Sequence, residues 1–121
     1  MAYMKNFLII IDSAPYGSVY GQEMIDLALA VAAFNQMVTL LFVNDGVYHL
    51  LAGQHPKQLG YKQYTEVYRA LQFYEITHYC IAQTTLQHYL IDVSELMIEI
   101  KVVSDDDIDQ LMRQADFVIK A

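Results

Sequence analysis

The sequence predicts an α/β fold, a small doubly wound and mostly parallel sheet with helices on both faces. Three observations predict it. Short, continuously apolar runs recur along the chain, as they do in strands buried on both faces. Between them lie segments whose apolar residues repeat at helical spacing. The two kinds alternate as β-α-β-α-α-β-α-β-α-β, and each parallel crossover needs a long connection that is usually a helix.

Taken in order, Asn6 to Ile11 (NFLIII) reads as the first buried strand. A loop rich in Pro, Gly and Ser follows from Asp12 to Ser18,. A helix is expected from Tyr20 to Gln36, with Met24, Leu27, Ala28, Val31 and Phe34 on one face,. Val38 to Val43 (VTLLFV) is the second strand, closed by Asn44-Asp45-Gly46, and a short helix is expected over Val47 to Leu51. Gly53 to Gly60 is a polar loop containing Pro56, and Tyr64 to Tyr74 forms an amphipathic helix through Tyr64, Val67, Tyr68, Leu71 and Tyr74. Ile76 to Ala82 is the third strand, Thr84 to Tyr89 a short helix or turn, and Met97 to Val103 the fourth strand. Ser104-Asp105-Asp106-Asp107 opens a helix that runs through Gln114, and Phe117 to Lys120 is the last strand. Crossovers of this kind are almost always right-handed, which leads to a flavodoxin-like sandwich.

With 121 residues, the chain is expected to form a single domain over 1–121,. It is 55% hydrophobic and 17% charged, the reverse of a disordered composition, and has apolar material to spare for a partner surface,. Its 14 acidic residues outnumber 7 basic ones, for a net charge of −7. Nucleic-acid affinity comes largely from Lys and Arg on phosphates, so no direct contact with tRNA or DNA is expected. The acidic balance suits solubility and a basic partner. The single cysteine, Cys80, excludes an internal disulfide,. The run Phe7 to Ile11 is far shorter than the roughly 20 residues of a membrane span,. With no targeting signal in view, the expected location is cytoplasmic, away from membranes.

Several residues have the chemistry for a site. The loop Asp12 to Gly21 lies where doubly wound folds hold phosphates, but it has neither GxGxxG nor GxxxxGK[ST],. Asp45 follows a strand end, where it can serve catalysis or, more commonly, a cap or turn,. His49, His55, His78 and His88 form no metal spacing, and His78 with Cys80 on one strand face makes only two ligands, so no metal and no cofactor are expected,. Ser104 reads as an N-cap, with three carboxylates matching the helix dipole,. Tyr61, Tyr64, Tyr68 and Tyr74 cluster on or near one helix, in the core or on a partner-binding face,. Cys80 is the one evident nucleophile. It sits mid-strand in Thr77-His78-Tyr79-Cys80-Ile81-Ala82, where a thiol is buried and lacks helix-terminus activation, with His78 as a neighbouring base for the alternative reading,.

Two stretches carry a family resemblance. Asp12-Ser13-Ala14-Pro15-Tyr16-Gly17, with Gly21-Gln22-Glu23, resembles an S-x-P-x-G signature. Phe42-Val43-Asn44-Asp45-Gly46-Val47-Tyr48-His49-Leu50-Leu51-Ala52-Gly53-Gln54-His55-Pro56 is similar to a DGV-x-x-LL-x-GQ-x-P run. Both belong to the TusC/DsrF branch of the DsrE/F/H family, and the resemblance covers essentially the whole chain, weakening toward its C-terminus. It implies a DsrE-like fold and one place in a heterohexamer with TusB-like and TusD-like siblings. In the Tus branch such a complex relays persulfide sulfur toward 2-thiolation of the tRNA wobble uridine; in the Dsr branch it serves sulfur oxidation. The carrier cysteine there belongs chiefly to the TusD/DsrE subunit, just after the strand matching Ile76–Ala82. That register puts Ala82 at the carrier position and Cys80 two residues before it. The resemblance thus implies a subunit without catalytic residues. A persulfide acceptor at Cys80 and a small-ligand binder using the Asp12–Gly21 loop are the competing readings.

Overall fold

The computed structural model describes residues 4–14, 20–34, 36–51, 78–96 and 99–120. Strands β1 Asn6–Ile11, β2 Met37–Phe42, β3 His78–Ala82, β4 Lys101–Val103 and β5 Phe117–Lys120 form one sheet. Its order is β4-β3-β2-β1-β5, and every neighbouring pair is parallel. Helices α1 Tyr20–Ala33, α2 Gln83–His88 and α3 Asp105–Gln114 accompany it, with 3₁₀ turns at Asn44–His49 and Val93–Glu95. This is the α/β architecture that the alternating pattern predicts.

The register explains why the strands are apolar throughout. Ile9, Ile11, Leu40, Phe42, Tyr79 and Ile81 point to one face, where Ala28 of α1, Val47, Leu50 and Leu86 of α2 complete a core. Leu8, Ile10, Leu41, Cys80 and Val103 point to the other, against Ile108, Leu111 and Ala115. Among the described residues α3 is the one helix on that second face. The chain steps from β1 through β2 and β3 to β4 in one direction, then reverses to lay β5 beside β1. With crossovers of one hand, that reversal moves the last helix to the opposite face.

Several boundaries differ from expectation. Helix α1 ends at Ala33, so Phe34 leaves the core face and stands 78% exposed. The expected helix at Val47–Leu51 is a 3₁₀ turn that begins three residues earlier, because Asn44 takes φ 50° and coils the chain at once. Of the expected fourth strand, Lys101–Val103 pairs with Cys80–Ala82, the described Glu99 and Ile100 lie outside it, and residues 97 and 98 are outside the described residues. The 3₁₀ turn Val93–Glu95 was not foreseen; Asp92 and Glu95 close it as a reciprocal cap, with Asp92 Oδ1 accepting from Ser94 N–H at 2.8 Å and Glu95 Oε2 from Asp92 N–H at 2.9 Å. The expected loop Gly53–Gly60, helix Tyr64–Tyr74 and His55 lie outside the described residues. The cap at Ser104 is as read: its hydroxyl accepts from Asp107 N–H at 3.2 Å, and the Asp107 carboxylate accepts from Ser104 N–H at 3.0 Å. That bond holds the Asp107 carboxyl below its ordinary range.

Candidate functional site

In open parallel sheets, ligands gather at the carboxyl ends of the strands, where strand order reverses. Here that edge joins the end of β1, the turn after β2, the start of α2 and the end of β5. Ile11 is the last residue of β1, and its carbonyl accepts from Val43 N–H at 3.0 Å, extending the pairing one step beyond the ladder. Asn44 then turns the chain. Its backbone N–H donates to Thr85 Oγ1 at 3.0 Å, and its side-chain amide donates to Asp12 Oδ1 at 3.0 Å. The second Asp12 oxygen, Oδ2, meets Lys120 Nζ at 3.2 Å. Asp12 is thereby held from β2 on one side and from β5 on the other.

Gly46 is fixed by space. A Cβ there would lie 1.9 Å from the Ile11 carbonyl oxygen, so this turn packs backbone against backbone. His49, at the end of the turn, is fully buried, and its Nε2 donates to the Ser13 carbonyl at 2.8 Å. Burial pushes its imidazole down to about 4, partly countered by that bond,. The ring is therefore neutral at physiological pH and pins the loop after β1 to the turn after β2. Asp45 lies within the 3₁₀ turn, the turn position that the sequence offered beside a cap, and its carboxylate accepts from Tyr89 O–H across to the end of α2. That bond, with lesser help from burial, pushes the Tyr89 phenol up to about 12. Thr85, Tyr89 and Lys120 are the members that sequence reading missed. Only their positions in a short polar helix and at a strand end hinted at them.

Ala82 sits at this edge, buried, at the N-cap position of α2 and with no side-chain cap bond. Cys80 lies two residues back inside β3 and is 6% exposed. Burial pushes its thiol up; Lys101 pulls the other way and Asp107 adds to the rise. A thiol so placed is mostly protonated at neutral pH, which is the wrong state for a nucleophile. His78 shares its strand face but is exposed at the opposite end of β3. Among the described residues no three His, Cys, Asp or Glu side chains converge as metal ligands, and no helix is long and apolar enough to cross a membrane. Of the Asp12–Gly21 loop, Asp12 and Ser13 are placed in the network above, and 15–19 lie outside the described residues.

The DsrE/DsrF-like family model matches residues 5–121. The intracellular sulfur oxidation protein DsrF of Allochromatium vinosum is 31% identical, over 95% of each chain. A TusC homolog of Vibrio vulnificus is 32% identical over 83% of this chain and 85% of its own. The crystal structure of YchN from E. coli superposes with a TM-score of 0.82 at 22% identity, covering 98% of this chain and all of that one. A protein of unknown function from Methanobacterium thermoautotrophicum, MTH1491, superposes at 0.69 with 16% identity, covering 97% and 99%. Sequence motifs, sheet order and matched length converge, and the chain belongs to the DsrE/DsrF-like family.

Proposed function

We propose that this chain is a non-catalytic subunit of a hetero-oligomeric sulfur-relay complex. In this reading it assembles with TusB-like and TusD-like siblings and supports persulfide transfer for 2-thiolation of the tRNA wobble uridine. Its similarity to proteins named TusC and DsrF supports a place in such a relay. The observation that carries the non-catalytic part is the residue at the head of α2. A relay step moves sulfane sulfur from a donor persulfide to an acceptor thiolate, forming a new S–S bond and releasing the donor as a thiol. Alanine at position 82 has no sulfur to accept it. The chain's one cysteine is buried mid-strand with a raised pKa. The Asp12–Asn44–Thr85 and Asp45–Tyr89 bonds then serve to hold the shape of this edge.

The test is sulfur transfer by the assembled complex carrying Cys80→Ser. The expected result is transfer at the wild-type rate, with labelled sulfur on a sibling's cysteine and none on Cys80 of the wild type. A complex that assembles normally and transfers nothing would make Cys80 the carrier and end this reading. The match to a sulfur oxidation protein favours one alternative setting, a Dsr-type complex with the same division of labour. Thiolated tRNA lost on deletion of the gene distinguishes the first setting; intact thiolation with impaired sulfur oxidation distinguishes the second.

A further inference from the structure

Helix α1 packs on the first face of the sheet and turns one side to water. That side is a single stripe. Glu23, Asp26, Ala30, Ala33 and Phe34 are exposed, Leu27 and Leu29 on its flanks are partly buried, and Ala28 opposite is fully buried. The outward stripe of a surface helix is ordinarily polar along its length. This one is polar only in its first half. From Leu27 to Phe34 the chain reads LALAVAAF, without one polar side chain, and Phe34 at its end stands 78% exposed. A helix that is apolar all round is one built to be covered.

The charges along it have an order. Glu23 and Asp26 stand toward the carboxyl edge of the sheet. At the other end stands Lys5, whose N–H donates to Gln36 Oε1 at 2.7 Å, while Gln36 Nε2 donates to the Phe34 carbonyl at 3.0 Å. Lys5 is thus tied to the end of α1. Two residues before Phe7, it shares the strand face that α1 covers,. Asp116, at the same end, is one residue out of step with Phe117, the partner of Phe7, and its carboxylate accepts from Asn6 N–H at 2.7 Å. Among the described residues this face of α1 therefore runs from acidic to basic. Such an order complements itself when reversed. Two copies of α1 laid antiparallel about a two-fold axis between Ala30 and Ala33 put Leu29 of each across from Phe34 of the other. Asp26 falls about 8 Å along from that axis, just past the end of the other helix, where that copy's Lys5 stands. A two-fold contact of this kind is the commonest between identical chains, and alanines at its centre allow the helices to approach to about 8 Å. The net charge of −7 opposes any self-contact, so the local charges must be matched for one to form,. An anionic membrane surface would instead call for Lys and Arg on the polar half of the stripe, which holds carboxylates.

We propose that the outward stripe of α1 joins two copies of this chain, helix against helix in antiparallel, with Lys5 of each copy facing Asp26 of the other. The inference rests on the subunit reading, which holds two copies of this chain in one complex, and deepens it by naming where they meet. It is tested on the complex recovered from the native cells, with native mass spectrometry counting copies per assembly and thermal melts checking folding. Ala30→Glu with Ala33→Glu puts like charges at the axis, at exposed positions that leave the single chain's core untouched. Lys5→Glu removes the matched pair, and Lys5→Glu with Asp26→Lys restores it with its signs exchanged. The expected result is a fall of at least about tenfold in the two-copy assembly for the alanine pair and for Lys5→Glu alone, leaving particles of half the mass that keep one of each sibling, and recovery of the two-copy assembly in the exchanged pair. A two-copy assembly untouched by the alanine pair, or an exchanged pair no better than Lys5→Glu, would overturn the contact while leaving the subunit reading intact. An alanine pair that loses a sibling and keeps both copies of this chain together would make the stripe a sibling surface and overturn it equally. A wild-type chain recovered as a lone monomer would remove the subunit reading and this inference together.

Discussion

Replacing Gly46 by alanine places a methyl group 1.9 Å from the Ile11 carbonyl oxygen and 2.8 Å from its carbon. Both are backbone atoms at the end of a central strand, so no side chain can rotate away. The turn must shift by about an ångström, against the 3.0 Å bond from Val43 to Ile11 and the 2.9 Å bond from Gly46 to Val43. Forced overpacking costs about 1–3 kcal/mol, and each weakened hydrogen bond adds about 1 kcal/mol. The lower chain entropy of unfolded alanine returns less than about 1 kcal/mol. The net expectation is a loss of about 3 kcal/mol, or a fall in Tm of about 12 °C for a chain of this length. Urea unfolding of Gly46→Ala against wild type measures it directly. A loss below about 0.5 kcal/mol would mean that the turn does not abut β1, and the geometry of the carboxyl edge would fall with it.

The remaining predictions are smaller and separable. His49 has a folded-state pKa depressed from 6.5 to about 4, so the unfolded chain binds the extra proton first,. Its neutral-form stability is full above pH 6.5 and is lost as pH falls toward 4, by roughly 3 kcal/mol; His49→Gln should flatten that window of a stability-against-pH curve. Cys80 should react slowly with iodoacetamide at pH 7 and faster as pH rises, with full labelling in guanidinium, because burial holds it as the neutral thiol,. Ser104→Ala should cost about 1 kcal/mol in urea unfolding by removing the cap of α3,. Lys120→Ala should cost less than about 1 kcal/mol and show little effect in high salt, since Lys120 is 55% exposed,.

The sequence was most legible where one physical signal dominated. Runs such as NFLIII and VTLLFV can only be strands buried on both faces, and they emerge as β1 and β2 within a residue of expectation. Ser104 with Asp107 announced a helix start because a capping side chain needs that spacing,. The site was less legible because its bonds join residues far apart in the chain. Asn44 to Thr85, Asp45 to Tyr89 and Asp12 to Lys120 link positions that no local pattern relates. Asp45 read as a cap or turn residue and does lie in a turn, but nothing local announced the tyrosine at the end of α2 that donates to its carboxylate. Phe34 was placed on the core face by periodicity alone, which has no information about where α1 stops.

The central claim is that this chain works as one part of a complex whose chemistry lies in a sibling. Native mass spectrometry of the tagged chain, purified from its own cells, tests that most directly. The account predicts a single assembly whose mass matches two copies each of this chain and of two distinct siblings. A monomer, or an assembly of this chain alone, would contradict it and return Cys80 and the Asp12–Gly21 loop to the position of functional sites.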